Sequence, residues 1–247
     1  MKIIDDLIST INGEKRVIEV HTCVFWTGVI TGMPLRCGLA STLKQDLPSK
    51  YHKEKVRDVG KLTEKNAKEL CMFTYSDNLI EAAIGMATIN SLIDIDESLC
   101  IEQNAFDVLV RKGENKNIAV VGHYPFVPKL EDIARNLWVI EKNPKEGDLP
   151  EKSAEEKLPE ADVVCITGTS LLNKTFDKLI KLCYDKFVMM VGPTTPLSPV
   201  LFDYGIDVIS GSMIIDIKKV IQCISQGATF QQVQGVKLLT MQKKRFK

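Results

Sequence analysis

His123 is the titratable group best placed to do chemistry. It directly follows the apolar run Ile118-Ala119-Val120-Val121-Gly122. A side chain just past the end of a parallel strand points into the crevice where such sheets bind ligands. An imidazole there can serve as a general base, a metal ligand or a hydrogen-bond anchor; a histidine that merely holds its loop is the competing reading. Glu141 ends the next apolar run, 19 residues after Gly122. That is near the place where an acidic residue grips a ribose in dinucleotide-binding layers, although a solvated strand end would look the same. The remaining candidates are small and hydroxylic. Thr167-Gly168-Thr169-Ser170, then Asn173 and Thr175, follow a third apolar run. Gly192-Pro193-Thr194-Thr195-Pro196-Leu197-Ser198-Pro199 follows a fourth, and Ser210-Gly211-Ser212 closes a fifth. Such segments offer backbone N–H groups and short donors to an anionic or polar ligand. Any one of these residues can be a helix cap instead. Their recurrence at successive strand ends is what points to a cleft.

A parallel sheet must bring these residues together. The apolar runs at 118–122, 137–141, 162–168, 187–192 and 207–211 are short, and helical or loop segments separate them. Continuous apolar strands alternating with helices predict a parallel sheet covered on both faces. The first half reads differently. Residues 1–12 form a short helix with Ile3, Ile4, Leu7 and Ile8 on one face. Residues 16–31 are rich in β-branched and aromatic types and read as two strands, with Gly28 at the bend. A third strand follows at 35–43, then a polar exposed loop at 44–62 that carries His52. Two helices come next. Asn78 caps the second, and Glu81 completes a capping-box-like pair. Leu79, Ala83, Met86, Ala87 and Asn90 then fall at helical spacing. Gly85 inside this helix costs about 1 kcal/mol against Ala, which close packing would offset. The change of pattern places a boundary near residues 100–115, giving domains 1–104 and 105–247. The fold class is α/β.

Composition narrows the function. Apolar residues make up 45% and charged residues 26%, so a folded core is expected. Lys+Arg and Asp+Glu both number 32, so no global field draws the chain to nucleic acid or to a membrane. The basic tail, Lys243, Lys244, Arg245 and Lys247, reads as a solvated end. No secretory leader and no span of about 18 apolar residues occurs. The seven cysteines are odd in number, widely spaced and without a Cys-x-x-Cys pair, which argues against a disulfide framework and fits a cytoplasmic, reducing setting. Gly-x-Gly-x-x-Gly is absent after the first parallel strand, and Pro125 cannot donate an N–H to a phosphate. No Gly-x-Ser-x-Gly elbow, Walker loop or His-Glu-x-x-His occurs. His21 falls within a strand, and the three histidines have no metal-binding spacing. A metal site would have to assemble in space, from His123, Glu141 and a group of the first half.

The longer motifs carry a resemblance. His-Tyr-Pro-Phe at 123–126, ITGTSLLNKT at 166–175 and VGPTTPLSPVLFDYGIDVISG at 191–211 resemble the putative heavy-metal chelation domain family. RCGLAST at 36–42 and IEAAIGMATINSL at 80–92 resemble that family's usual partner domain. The resemblance implies a Rossmann-like C-terminal domain, a smaller α+β N-terminal domain like that of enolase, and a cleft between them. It implies binding or handling of a heavy metal or a metallophore, with a transition-metal ion as cofactor or cargo. The matching positions are His123, Gly168, Thr169, Asn173, Thr175, Thr194, Pro196 and Ser198, with Arg36, Gly38 and Asn90 from the partner domain. Arg36 and Asn90 are poor metal ligands and suit an anionic organic ligand better. The alternative is an enzyme that holds a nucleotide-like ligand, such as S-adenosylmethionine, through Gly122 and Glu141. A third reading is a scaffold with a vestigial cleft. The expected partner is a small molecule or metal; whether the chain forms a homo-oligomer, and whether it is an enzyme, the sequence leaves open.

Overall fold

A computed structural model describes residues 1–43 and 55–243 of the chain. The predicted first helix is α1 (Lys2–Ser9), and it buries Ile3, Ile4 and Leu7. Strands β1 (Val17–Thr22), β2 (Trp26–Thr31) and β3 (Arg36–Ser41) form an antiparallel sheet in that order. The bend between the first two strands is at residues 23–25, where Cys23 N–H donates to Trp26 O. Gly28 is therefore not a bend. It lies inside β2 paired with His21 and Leu39, and a Cβ there would stand 3.0 Å from Ile224 Cδ1. Its lack of a side chain admits a helix, α9 (Ile217–Ser225), against the sheet.

On the other side lie α2 (Ala67–Cys71) and α3 (Leu79–Leu92). Almost every residue of α3 is buried, as expected of a helix apolar on all sides. The Asn78 side chain caps it, accepting from Ile80 N and Glu81 N. The predicted reciprocal bond is missing because Glu81 turns to Arg57 instead, taking its guanidinium at 2.7 Å and its backbone N–H at 2.7 Å. A complete capping box does form one helix earlier, between Asn66 and Glu69. Gly85 has the close packing that its place in a helix requires: a Cβ would be 2.2 Å from Thr74 N.

The second sheet has eight strands. They are β4 (Cys100–Ile101), β5 (Asn117–Val121), β6 (Asn136–Glu141), β7 (Leu149–Pro150), β8 (Val163–Thr167), β9 (Phe187–Val191), β10 (Val208–Ile214) and β11 (Val236–Gln242). Their order is β4-β11-β10-β9-β8-β5-β6-β7. From β5 to β10 the strands are parallel, and only β11 and β4 run antiparallel to their neighbours. Counted from β5, the parallel strands lie in the order 3-2-1-4-5-6, the doubly wound arrangement whose ligands sit where the order reverses. Here that point lies between β5 and β8. The five predicted strands are all present. The last extends further than expected: Ser210, Gly211 and Ser212 are not a loop, because β11 pairs with them through Thr240, Leu239 and Leu238.

Helices α4 (Ala105–Gly113), α5 (Pro128–Glu131), α6 (Ala154–Glu160), α7 (Thr169–Leu172) and α8 (Phe176–Lys181) complete the layers. One continuous apolar cluster joins the two halves. It runs from Ile3, Leu7 and Ile84 to Val164, Ile166, Leu171 and Met190. No described helix is long and apolar enough to cross a membrane.

Candidate functional site

The switch point opens into a cleft of about 1350 Å³. The carboxyl ends of β5, β6, β8 and β9 line it, and Trp26, Ser41 and Leu43 of the first half border it. Of the predicted residues, His123, Glu141, Thr169, Asn173, Thr175 and Thr194 stand on its walls, and Ser210 and Gly211 join them from within β10.

The walls are built locally. β8 runs straight into α7, so Thr167 and Thr169 face each other with their hydroxyls 3.0 Å apart. Asn173 Oδ1 then accepts from Thr175 N–H at 3.2 Å and from Thr175 Oγ1 at 2.7 Å, which fixes the turn into α8. Lys174 between them donates to Tyr75 O and Asp77, tying this loop to the first half. Thr194 is the seam: its hydroxyl accepts from Ser41 N–H at 2.9 Å and lies 3.0 Å from Ser41 Oγ. Asn90 is behind the wall, where its amide donates to Leu39 O and Thr194 O.

The other predicted residues are placed elsewhere. Gly38 is pressed on α3, where a Cβ would stand 2.1 Å from Ala87 O. Gly168 is packed on Thr195 N, 2.6 Å from where its Cβ would be. Arg36 pairs with Asp94 and Ile93 O at the far end of β3. Ser198 is buried and caps the turn at Pro199–Tyr204 by accepting from Val200 N–H; neither it nor Pro196 lines the cleft. These residues support the walls and do not form them. His52 and the tail from Lys244 lie outside the described residues.

Two features of the site escaped the sequence. Tyr124 fills the crevice itself. Its ring lies 3.3 Å from the place of a Gly122 Cβ, its hydroxyl 3.9 Å from that of a Gly192 Cβ, and that hydroxyl donates to Val191 O at 3.3 Å. Phe126 stacks on it with ring centroids 5.0 Å apart. Gly122 (φ 111°) and Gly192 (φ 107°) adopt left-handed backbone at the two strand ends that this ring bridges. Burial drives the Tyr124 phenol well above its ordinary pKa, so it stays protonated. The second feature is Asp148, in the turn before β7. Its carboxylate lies 3.2 Å from His123 Nδ1 and accepts from Lys145 N–H at 3.0 Å. Neither a strand end nor a motif marks Asp148 in the sequence.

A heavy metal held by the protein alone would need several soft or borderline ligands. Among the described residues, no group of three or more His, Cys, Asp or Glu side chains is placed to hold a metal ion. None of the seven cysteines lines the cleft. Burial pushes the thiols of Cys37, Cys71 and Cys183 up to about 12 and Cys165 higher still, so these four are not thiolates near neutrality. The polar groups in the cleft are hydroxyls, amides, one imidazole, the carboxylates of Glu141 and Glu151, and the ammonium groups of Lys129 and Lys142. That set fits a polar organic molecule and not a bare soft ion.

The fold and cleft define a doubly wound α/β protein with a cleft at the switch point. Residues 104–241 match the family model described as "Putative heavy-metal chelation", and residues 4–93 match a second model of the same description. The chain belongs to this family. An uncharacterised protein of Methanocaldococcus jannaschii is 31% identical over 163 residues, a match that spans 63% of each protein. A solved structure from the same family, of unknown function, comes from Desulfitobacterium hafniense. It is 27% identical, superposes with a TM-score of 0.83 and matches over 98% of both chains. Another, from Pyrococcus horikoshii, has a TM-score of 0.81 over 98% of both chains at 18% identity, a likeness of fold alone.

Proposed function

We propose that this protein handles a metal-carrying small molecule, gripping its organic part in the cleft. The observation that carries this reading is the donor set: hydroxyl and amide groups converge at the switch point where a chelating cluster does not. Thr167, Thr169, Asn173, Thr175 and Thr194 would bond the polar groups of the ligand, and the Tyr124–Phe126 stack would take its flat or apolar part. The description of the two matching family models, "Putative heavy-metal chelation", supports a metal as part of that ligand. Domains 1–104 and 105–247, meeting at the cleft, belong to the same proposal. Calorimetric titration with zinc, nickel, cobalt and iron(II) salts, and with the same ions as citrate complexes, tests it. Saturable heat from at least one complex, with weak heat from the bare ions, is expected. Tight stoichiometric binding of a bare ion would overturn it.

Glu141 favours a second reading. It lines the cleft at the end of β6, where a ribose would be gripped. A nucleotide-like ligand such as S-adenosylmethionine would then lie across the β5 end. Against this stands the Tyr124 ring, which occupies the crevice that a diphosphate would cross. A thermal-shift series with adenosine, S-adenosylmethionine and ADP-ribose separates the readings: stabilisation by any of them favours the second, and a flat response removes it.

A further inference from the structure

His123 and Asp148 are built as a unit. Asp148 has only 4% of its side chain exposed. Both carboxylate oxygens face His123 Nδ1, at 3.2 and 3.3 Å, and Lys145 N–H fixes one of them from the other side. A carboxylate has only acceptors, so the shared proton belongs on Nδ1 in the neutral ring. Nε2 is then the bare nitrogen, and it belongs to a side chain that lines the cleft. A buried acceptor behind one imidazole nitrogen is how proteins orient the other nitrogen toward a metal and raise its basicity.

We propose that His123 Nε2 is the atom by which the protein takes hold of the metal inside the bound complex, with Asp148 as its positioning residue. This rests on the reading of the cleft as a site for a metal-carrying small molecule. One imidazole is too few ligands to hold a bare ion, but it suits a complex that has an open or water-filled position. The Nε2 lone pair forms the new bond, a water on the metal leaves, and Nδ1–H stays with Asp148; no electron is transferred. The metals that fit are the nitrogen-preferring divalent ions: copper(II), nickel, cobalt and zinc. Glu141 is not needed as a ligand, and its carboxylate already accepts from Lys142 N–H.

The test uses copper(II)–iminodiacetate, whose visible band moves to shorter wavelength when an imidazole replaces water. The chain has three histidines, so His21→Gln with His52→Gln leaves His123 as the sole imidazole. The untagged double variant is expected to bind one equivalent with the band shift. Adding His123→Asn is expected to abolish the shift and weaken binding at least about tenfold, and adding Asp148→Asn to weaken it by about ten- to a hundredfold. Thermal unfolding of each variant checks that it is folded. Unchanged binding after His123→Asn, with loss after Thr169→Val, would overturn the role of the imidazole and leave the cleft reading intact. The absence of any band shift in the starting variant would overturn this proposal as well; if the citrate complexes also give no heat, the cleft reading falls with it.

Discussion

Asn90 donates to Thr194 O at 3.1 Å, and the same amide donates to Leu39 O at 2.8 Å. One side chain of α3 thus holds the edge of the antiparallel sheet to the loop that follows β9. Thr194 in turn borders the cleft, so the strength of the seam and the shape of the site are linked.

Asn90→Ala removes both bonds and leaves two inward-facing carbonyls short of a donor. The expected cost is about 1–3 kcal/mol. In urea, the midpoint should fall while the slope stays unchanged. A variant as stable as the parent would show that this amide does not tie the halves together.

The Arg57–Glu81 pair predicts a pH response. Glu81 is 2% exposed and Arg57 61%. Burial alone would raise the Glu81 pKa, but the hydrogen bonds from Arg57 outweigh it and hold the group below its ordinary 4.5. A depressed pKa contributes stability that is present above the unfolded value and lost as pH falls through the folded one. The parent protein should therefore lose this contribution below about pH 4.5. Arg57→Ala should cost about 2–3 kcal/mol at neutral pH, less than for a fully enclosed pair because water reaches that side. It should also weaken the pH response: with the guanidinium gone, only the residue-57 backbone N–H and Ser76 oppose burial, so the Glu81 pKa rises from its value in the parent and acid costs the variant less. Denaturant curves from pH 3 to pH 8 read both effects.

Much of this architecture was legible. The apolar runs of 118–122, 162–168 and 187–192, short and set between helical segments, read as buried strands, and a parallel sheet fixes where their ends lie. His123, Glu141, Thr169, Asn173, Thr175 and Thr194 followed from that one rule, and all six line the cleft. Gly38 and Gly168 could not be sorted the same way. A glycine needed for backbone packing and one needed for a ligand are identical in sequence, and only the positions of Ala87 and Thr195 tell them apart. Asp148 was hidden because its role depends on a turn that brings it back to His123. Strand β11 was not foreseen, since Val236–Gln242 has neither a clean alternation nor a continuous apolar run.

The cysteines give a direct check on the core. Cys37, Cys71, Cys165 and Cys183 are buried, whereas Cys23, Cys100 and Cys223 are partly exposed. Iodoacetamide at pH 8 is expected to modify at most the last three in the native protein and all seven in urea, read by peptide mass spectrometry. Rapid native labelling of Cys165 or Cys71 would contradict the packing described, and would return thiolates to the list of metal donors.

Neither half should fold alone. The shared cluster would be cut between Ile84 and Val164, and 1–104 would keep a three-stranded sheet with one face bare once α9 is gone. Expressed separately, 1–104 and 105–247 should unfold without a cooperative transition. Cooperative melting of both fragments would refute this.

The most direct measurement places the ligand. The chain has two tryptophans, and only Trp26 lines the cleft. With Trp138→Phe as background, nickel(II)–citrate should quench Trp26 emission saturably, and Tyr124→Ala or Thr169→Val should shift that curve to higher concentration by about tenfold or more, as the loss of a ligand contact worth roughly 1.4 kcal/mol would. Unsaturable quenching that is identical in all three proteins would contradict binding in the cleft.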